Sequence, residues 1–314
     1  MKKYDVLVIG ELNVDLILNR IDSFPEMGKE KLAGQMDLTL GSSSAIFASN
    51  LGSLGTRVAF LGKLGDDVFG DLVIRSLKSK KVETGFIVRS SSIKTGATIV
   101  LNYAEDRAMV THPGAMEHLT LQDIGDQCLQ QAGHLHVSSY FLQPGIKKDI
   151  FTIFKRAKSF GLTTSFDPQW DPREKWDLDM EQVLPVVDVL LPNEQELLHL
   201  TGKADLSSAL EAVRFNPNTV VVKRGNKGSL AFRQGKQIQQ EAFLNPQVVD
   251  AIGAGDSFNA GFIFKFIKKL PLAECLVFGS LMGALNTTAA GGTTAFTDYR
   301  SVMNLARKYF NYSE

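Results

Sequence analysis

Residues 250–262 read DAIGAGDSFNAGF, a glycine-rich turn with a carboxylate at each end. Behind it Phe258, Phe262 and Phe266 recur every four residues, the spacing of a buried helix face. A turn of this kind feeding a helix gathers backbone N–H groups around an anion. If Gly253, Ala254 and Gly255 aim their N–H groups into one pocket, they can hold the charge that develops during phosphoryl or acyl transfer. Asp256 at the mouth of that pocket would repel a resting anion, so it needs a task of its own. Taking a proton from an attacking hydroxyl is such a task. The bland alternative is that Asp256 caps the helix and the glycines only turn the chain.

Other polar groups are spaced for chemistry. Asn13 and Asp15 lie two apart, on one side of an extended segment, and an amide with a carboxylate suits vicinal hydroxyls. Asn193 and Glu196 follow the apolar run VDVLLP and offer the oxygen ligands that Mg²⁺ prefers, with Glu194 beside them as a helix-start charge. Lys223 to Gly228, KRGNKG, follow TVVV. Gly225 and Gly228 would let a nucleotide lie against the backbone and Lys223 could reach a phosphate, although a plain hairpin with solvated lysines looks the same. His134 and His136 alternate on one strand face without a third ligand, which favours strand packing over a metal.

These residues need a scaffold. YDVLVIG, RVAFLG, HLHVSS, LTTSFD, VDVLLPN and TVVVKRG read as buried strands, with helix patterns at 43–54, 70–80 and 148–160 between several of them. The alternation predicts an α/β fold with a mainly parallel central sheet flanked by helices, and ligands at the carboxyl ends of its strands. Two segments break the rhythm, 12–40 and 94–112, each with strand-like alternation around a polar tip. They predict a small separate sheet acting as a lid over a single domain spanning 1–314. A dimer-forming flap is the alternative, and one sheet can be both.

DAIGAGDSFNAGFI closely resembles the C-terminal signature of the ribokinase-like (PfkB) carbohydrate kinases, D-[ST]-x-G-A-G-D-x-F-x-[AG]-G, with Ala251 where a hydroxyl residue is common. The resemblance spans essentially the whole chain. GELNVD (10–15) looks like the family's first strand and substrate turn, GKLGDDVFG (62–70) fits G-x-x-G-x-D-x-x-G, PNEQE (192–196) fits N-x-x-E, and KRGNKG sits at the nucleotide turn. It implies ATP as phosphoryl donor, Mg²⁺, and Asp256 as the base beside an anion hole of Gly253, Ala254 and Gly255. Asp250, with carbonyls near Ile252 and in the loop 289–293, would bind a monovalent cation, usually K⁺. Asn193 and Glu196 would organise the Mg²⁺–phosphate shell. Gly279, Gly283 and Thr287 would form a small-residue stripe beside the adenine, with Asn286 as an adenosine contact.

The sugar motifs depart from the family pattern. Where relatives have G-G-x-x-x-N this chain has GSSSAI: Gly41 is kept, Ser42 replaces the second glycine and Ile46 stands at the Asn. Ser42 and Ser43 could supply compensating hydroxyls or simply cap the helix. FDPQWDPREKW (166–176) resembles the D-x-N-x-R region with Gln169 in place of Asn, and Arg173 there or Arg107 in the lid could meet an acidic sugar.

Bulk properties agree. Lys plus Arg and Asp plus Glu number 34 each, which gives no global field for nucleic acid or an anionic membrane. The first apolar run is cut by Glu11 and Asp15, too early for a secretion signal, and no stretch approaches a membrane span. Cys128 and Cys275 lie far apart, with no metal or disulfide pattern. The expectation is a cytoplasmic ATP-dependent sugar kinase, acting on a primary hydroxyl and able to pair as a homodimer through the lid. The rivals are a nucleoside kinase of the same family and a non-catalytic sugar-sensing relative. A dinucleotide-binding oxidoreductase is disfavoured because GELNVD lacks G-x-G-x-x-G.

Overall fold

The computed structural model describes residues 2–103, 106–214 and 218–313. In chain order the strands are β1 (Tyr4–Ile9), β2 (Asn13–Ile21), β3 (Ala33–Leu40), β4 (Val58–Leu61), β5 (Lys63–Gly65), β6 (Val88–Ser90) and β7 (Gly96–Tyr103). They continue with β8 (Asp106–His112), β9 (Ala132–Ser138), β10 (Thr163–Asp167), β11 (Val189–Leu190), β12 (Thr219–Lys223), β13 (Ser229–Arg233) and β14 (Lys236–Gln240). Eight of them form the central sheet in the order β14-β13-β12-β11-β10-β9-β1-β4. From β12 to β4 the neighbours are parallel, and the β12–β13–β14 edge is antiparallel.

The strands of the parallel part are buried on both faces because helices cover both, which is why they read as continuous apolar runs. One core layer joins Val6, Val8, Phe47 and Phe60 to Phe258, Phe262 and Phe278. The other joins Leu7, Ile9, Phe154 and Phe166 to Leu190 and Leu197. Residues of β1 alternate between the layers, so one strand feeds two cores.

The irregular segments supply a second sheet in the order β3-β2-β7-β8. Its two faces differ. Leu38, Leu16, Ile99 and Val110 are register partners on one face, as are Met36, Leu18, Leu101 and Ala108. Asn13, Asp15 and Thr98 lie on the other, where period-2 alternation puts them. Among the described residues no helix is long and apolar enough to cross a membrane.

Candidate active site

The carboxyl ends of β1, β10 and β12 and the start of the helix Ala254–Phe266 converge on one buried cluster of charge. Gly253 is the N-cap of that helix, at φ 77°, a backbone region that favours glycine. A Cβ on Gly253 would also stand 2.8 Å from Gly292 Cα, so the two loops close against each other there. The first helical turn leaves N–H groups without helical acceptors. Of the three expected amides, Ala254 donates to the Ala251 carbonyl at a long 3.3 Å.

Asp256 sits in that first turn and is buried. Its Oδ1 accepts from Gln169 Nε2 at 2.9 Å. Burial raises its pKa well above the ordinary carboxylate value; the charges of Asp167 and Glu11 add to this, while Lys223 and the Ser43 hydroxyl oppose it. A carboxyl that favours its proton is suited to receive one. Lys223, at the end of β12, places Nζ 2.6 Å from Asp167 Oδ2. Burial works against the lysine's charge, but Asp167, Glu196 and Asp256 outweigh it and raise its pKa. A Cβ on Gly255 would lie 3.8 Å from the same Nζ, so the ammonium is beside the glycine turn.

Asn193 and Glu196 form a capping box: Glu196 N donates to Asn193 Oδ1 at 2.9 Å and Asn193 N to Glu196 Oε2 at 2.8 Å. The helix-end reading of these residues thus holds. Glu196 is also buried, and its pKa is pushed up to about 7, chiefly by burial and then by Asp167. Glu194 pairs with Arg224 at 2.9 Å. Asp167, Asp256 and Glu196 together set three buried carboxyls around one ammonium. Among the described residues no group of three or more such side chains is placed to hold a metal ion by itself, and Asp167 Oδ2 already accepts from both Lys223 and the Asn259 amide.

Asn13 and Asp15, the pair expected to read hydroxyls, gather on the neighbouring side. Asn13 Nδ2 donates to Asp15 Oδ1 at 3.1 Å and to Thr98 Oγ1 at 3.0 Å. A Cβ on Gly41 would fall 2.3 Å from Asp15 Oδ1, so only glycine fits there. Burial lifts the Asp15 pKa to about 6; the Asn13 amide lowers it and Glu11 raises it further. Ser43 joins this side to Asp256 through its hydroxyl.

Several expectations need correction. Ser42 is a cap, not a substrate contact: its Oγ accepts from Ala45 N at 2.9 Å and donates to the Glu11 carbonyl at 2.6 Å. Its φ of 69° lies in the backbone region that favours glycine. Asn286 is wholly buried and braces the turn, donating to the Ile252 carbonyl at 2.6 Å and accepting from Ser257 at 2.9 Å, so neither amide atom is left for adenosine. Gly279 and Gly283 pack on Phe258 and Ala254 of the adjacent helix, so their stripe serves helix packing. Gly228 faces the β14 backbone, where a Cβ would meet Gln240 O, whereas Gly225 is exposed and open. Arg173 is exposed on a turn built by Asp171. The Arg107 side chain lies outside the described residues.

Asp250 does tie the two loops: its Oδ1 accepts from Ile252 N and its Oδ2 from Gly291 N, both at 2.9 Å. His134 and His136 hydrogen-bond Thr163 and Ser165 inside the sheet, as strand packing requires. Two further site residues were not expected from the sequence. Glu11, 2% exposed, receives Ser44 N and Oγ on its carboxylate and has its pKa raised by burial. Asp167 ends β10 and opens the segment that resembles D-x-N-x-R, where only Gln169 and Arg173 were singled out.

A buried carboxyl at a glycine-capped helix start, an adjacent ammonium and the Asn13–Asp15 pair at the carboxyl ends of a parallel sheet form an arrangement suited to phosphoryl transfer to a small molecule. The family model described as pfkB family carbohydrate kinase matches residues 3–298, and the chain belongs to that family. A 5-dehydro-2-deoxygluconokinase of Lacticaseibacillus casei is 26% identical over 90% of this chain and 90% of its own length. The structure of Arabidopsis thaliana ribokinase complexed with ribose and ATP superposes with a TM-score of 0.84 at 26% identity, covering 97% of this chain and 99% of that one. Adenosine kinase from Sinorhizobium meliloti gives 0.83 at 26% identity, covering 94% and 98%.

Proposed function

We propose that the protein transfers the γ-phosphate of ATP to a primary hydroxyl of a small sugar, with Asp256 as the base. The observation that carries this reading is the seat of Asp256: in the first turn after Gly253, buried, and linked through Ser43 to the Gly41 turn that borders Asn13 and Asp15. Asn13 and Asp15 hold the sugar by adjacent hydroxyls. As the hydroxyl oxygen bonds to phosphorus, its proton passes to Asp256 and the bond to the ADP oxygen breaks. First-turn N–H groups and Lys223 face the charge that moves. Gly225 offers the open backbone for the nucleotide. Glu196 would act through water on Mg²⁺, and the ion would supply positive charge that offsets the phosphates. Asp250 and the Ile252 carbonyl keep spare lone pairs, so they fit a K⁺ that stiffens the turn. The second sheet would close over the sugar. Its other face exposes Met36, Val110, Ile99 and Leu38, an apolar patch suited to a second copy of the chain.

Turnover of ATP with a panel of ketoses, aldoses, sugar acids and nucleosides, for wild type and Asp256→Asn, tests the reading. The variant should bind ATP and sugar within a few fold while kcat falls by roughly 10²–10⁴. Near wild-type kcat would remove Asp256 from the mechanism.

A further inference from the structure

Gln169 stands where β10 leaves the sheet, two residues beyond Asp167. Its amide spans two groups. Nε2 donates to Asp256 Oδ1 at 2.9 Å and Oε1 accepts from Ser139 Oγ at 2.7 Å. The two partners fix the amide's orientation, because a flip would aim its oxygen at the carboxylate and its NH₂ at the hydroxyl proton. Both residues adopt left-handed backbone, Gln169 at φ 59° and Ser139 at φ 55°. Strained non-glycine residues of this sort persist where surroundings over-determine them. Here Asp171 does so: its buried carboxylate accepts from the N–H groups of Arg173, Lys175 and Trp176 at 2.8–2.9 Å and locks the turn that carries Gln169.

We propose that Gln169 is a positioning residue that holds one oxygen of Asp256 and turns the other toward the substrate hydroxyl. The proposal rests on the reading of Asp256 as proton acceptor. An N–H donor also stabilises the ionised carboxylate, which Asp167 on β10 and Glu11 after β1 disfavour and Lys223 on β12 favours. Ser139 extends the chain of donors. Its single hydroxyl proton goes to Gln169 Oε1.

The test is Gln169→Met, which keeps the length and removes the donor, alongside Gln169→Asn and Ser139→Ala. Gln169→Met should lower kcat by about 10- to 100-fold, with KM for sugar and ATP changed less than about threefold. Losing a donor to the ionised form raises the pKa of Asp256. The acid limb of kcat/KM should therefore move up by roughly one pH unit in Gln169→Met. Ser139→Ala should move it the same way by less, and Gln169→Asn should recover part of kcat. Asp256→Asn with Gln169→Met should be no slower than Asp256→Asn alone. A folded Gln169→Met enzyme with wild-type kcat and an unmoved acid limb overturns the proposal, as does a loss confined to KM. If Gln169→Met is poorly folded, an unmoved acid limb in Ser139→Ala and full activity in Gln169→Asn overturn it equally. An active Asp256→Asn would instead sink the reading beneath it.

Discussion

Lys223 Nζ lies 2.6 Å from Asp167 Oδ2, with the lysine side chain 13% exposed and the aspartate fully buried. Both charges come from strand ends of one sheet, β12 and β10, and both are largely withdrawn from solvent. Removing one partner of a dry pair leaves the other uncompensated, at a cost of about 3–5 kcal/mol. Lys223→Met should destabilise the fold on that scale and weaken ATP binding, since the ammonium also lies beside the glycine turn. Denaturant unfolding and ATP titration of the variant check this. A midpoint equal to wild type would mean that the pair is solvated.

Asp15 gives a pH test with a definite sign. Its folded pKa of about 6 exceeds its ordinary value because burial disfavours the charge. The contribution of this group to stability is therefore fully present below about pH 4 and is lost as pH rises through about 6. Asp15→Asn should raise the melting temperature of the empty protein at pH 7.5 more than at pH 4.5, while sharply weakening sugar binding. In wild type, sugar affinity should fall as pH drops below about 6, because the protonated acid accepts fewer hydroxyl hydrogen bonds. Calorimetric titration across pH 5–8 reads it; a flat profile would remove Asp15 from hydroxyl recognition.

How much of this was legible depended on distance along the chain. The Gly253–Asp256 turn and the Asn193–Glu196 box are local, so residue type and spacing carry them. The second sheet was legible too, through the alternation of segments 12–40 and 94–112. Asn286 was misread because its partners, Ser257 and the Ile252 carbonyl, arrive from about 30 residues away. A helical Asn looks the same whether it faces a ligand or a neighbouring turn. Glu11 and Asp167 were missed for the same reason. Each lies in a quoted motif next to a strand, but its role comes from neighbours that only the sheet order brings close.

Asp250 joins the glycine turn to the loop at Gly291 through two backbone N–H groups. A K⁺ ion on its remaining lone pairs would stiffen the turn proposed to face the moving phosphoryl group. Replacing a large organic cation with K⁺ at equal ionic strength should raise kcat, and Asp250→Asn should abolish the difference. Equal rates with both cations would mean that the carboxylate is only a loop tie.

The second sheet predicts association. Met36 and Val110, each about two-thirds exposed, lie on the apolar face opposite Asp15. Sedimentation should show a dimer for wild type and a monomer for Met36→Glu with Val110→Glu, with the central fold unchanged by circular dichroism. A monomeric wild type would leave the patch to another role.

Ile46 bears on specificity, where the chain departs most from the family pattern. As a replacement for Asn, it would be expected to border the sugar. The structure packs it elsewhere: 3% exposed, its Cγ2 is 3.1 Å from where a Cβ on Gly253 would stand, and its side chain fills the space left by Gly292. Ile46 therefore plugs the junction of the glycine turn and the cation loop, which Asn50 also ties by donating to the Gly292 carbonyl at 2.9 Å. An amide in this apolar contact would be left unsatisfied, at about 1–3 kcal/mol. Ile46→Asn should then lower stability by that amount and reduce kcat for every sugar alike, because the turn loosens. Ile46→Val, which removes one methylene, should cost only about 0.5–1.5 kcal/mol. Unfolding curves and a sugar panel for both variants separate the outcomes. A changed ranking among sugars for Ile46→Asn, with stability intact, would place this side chain at the substrate after all.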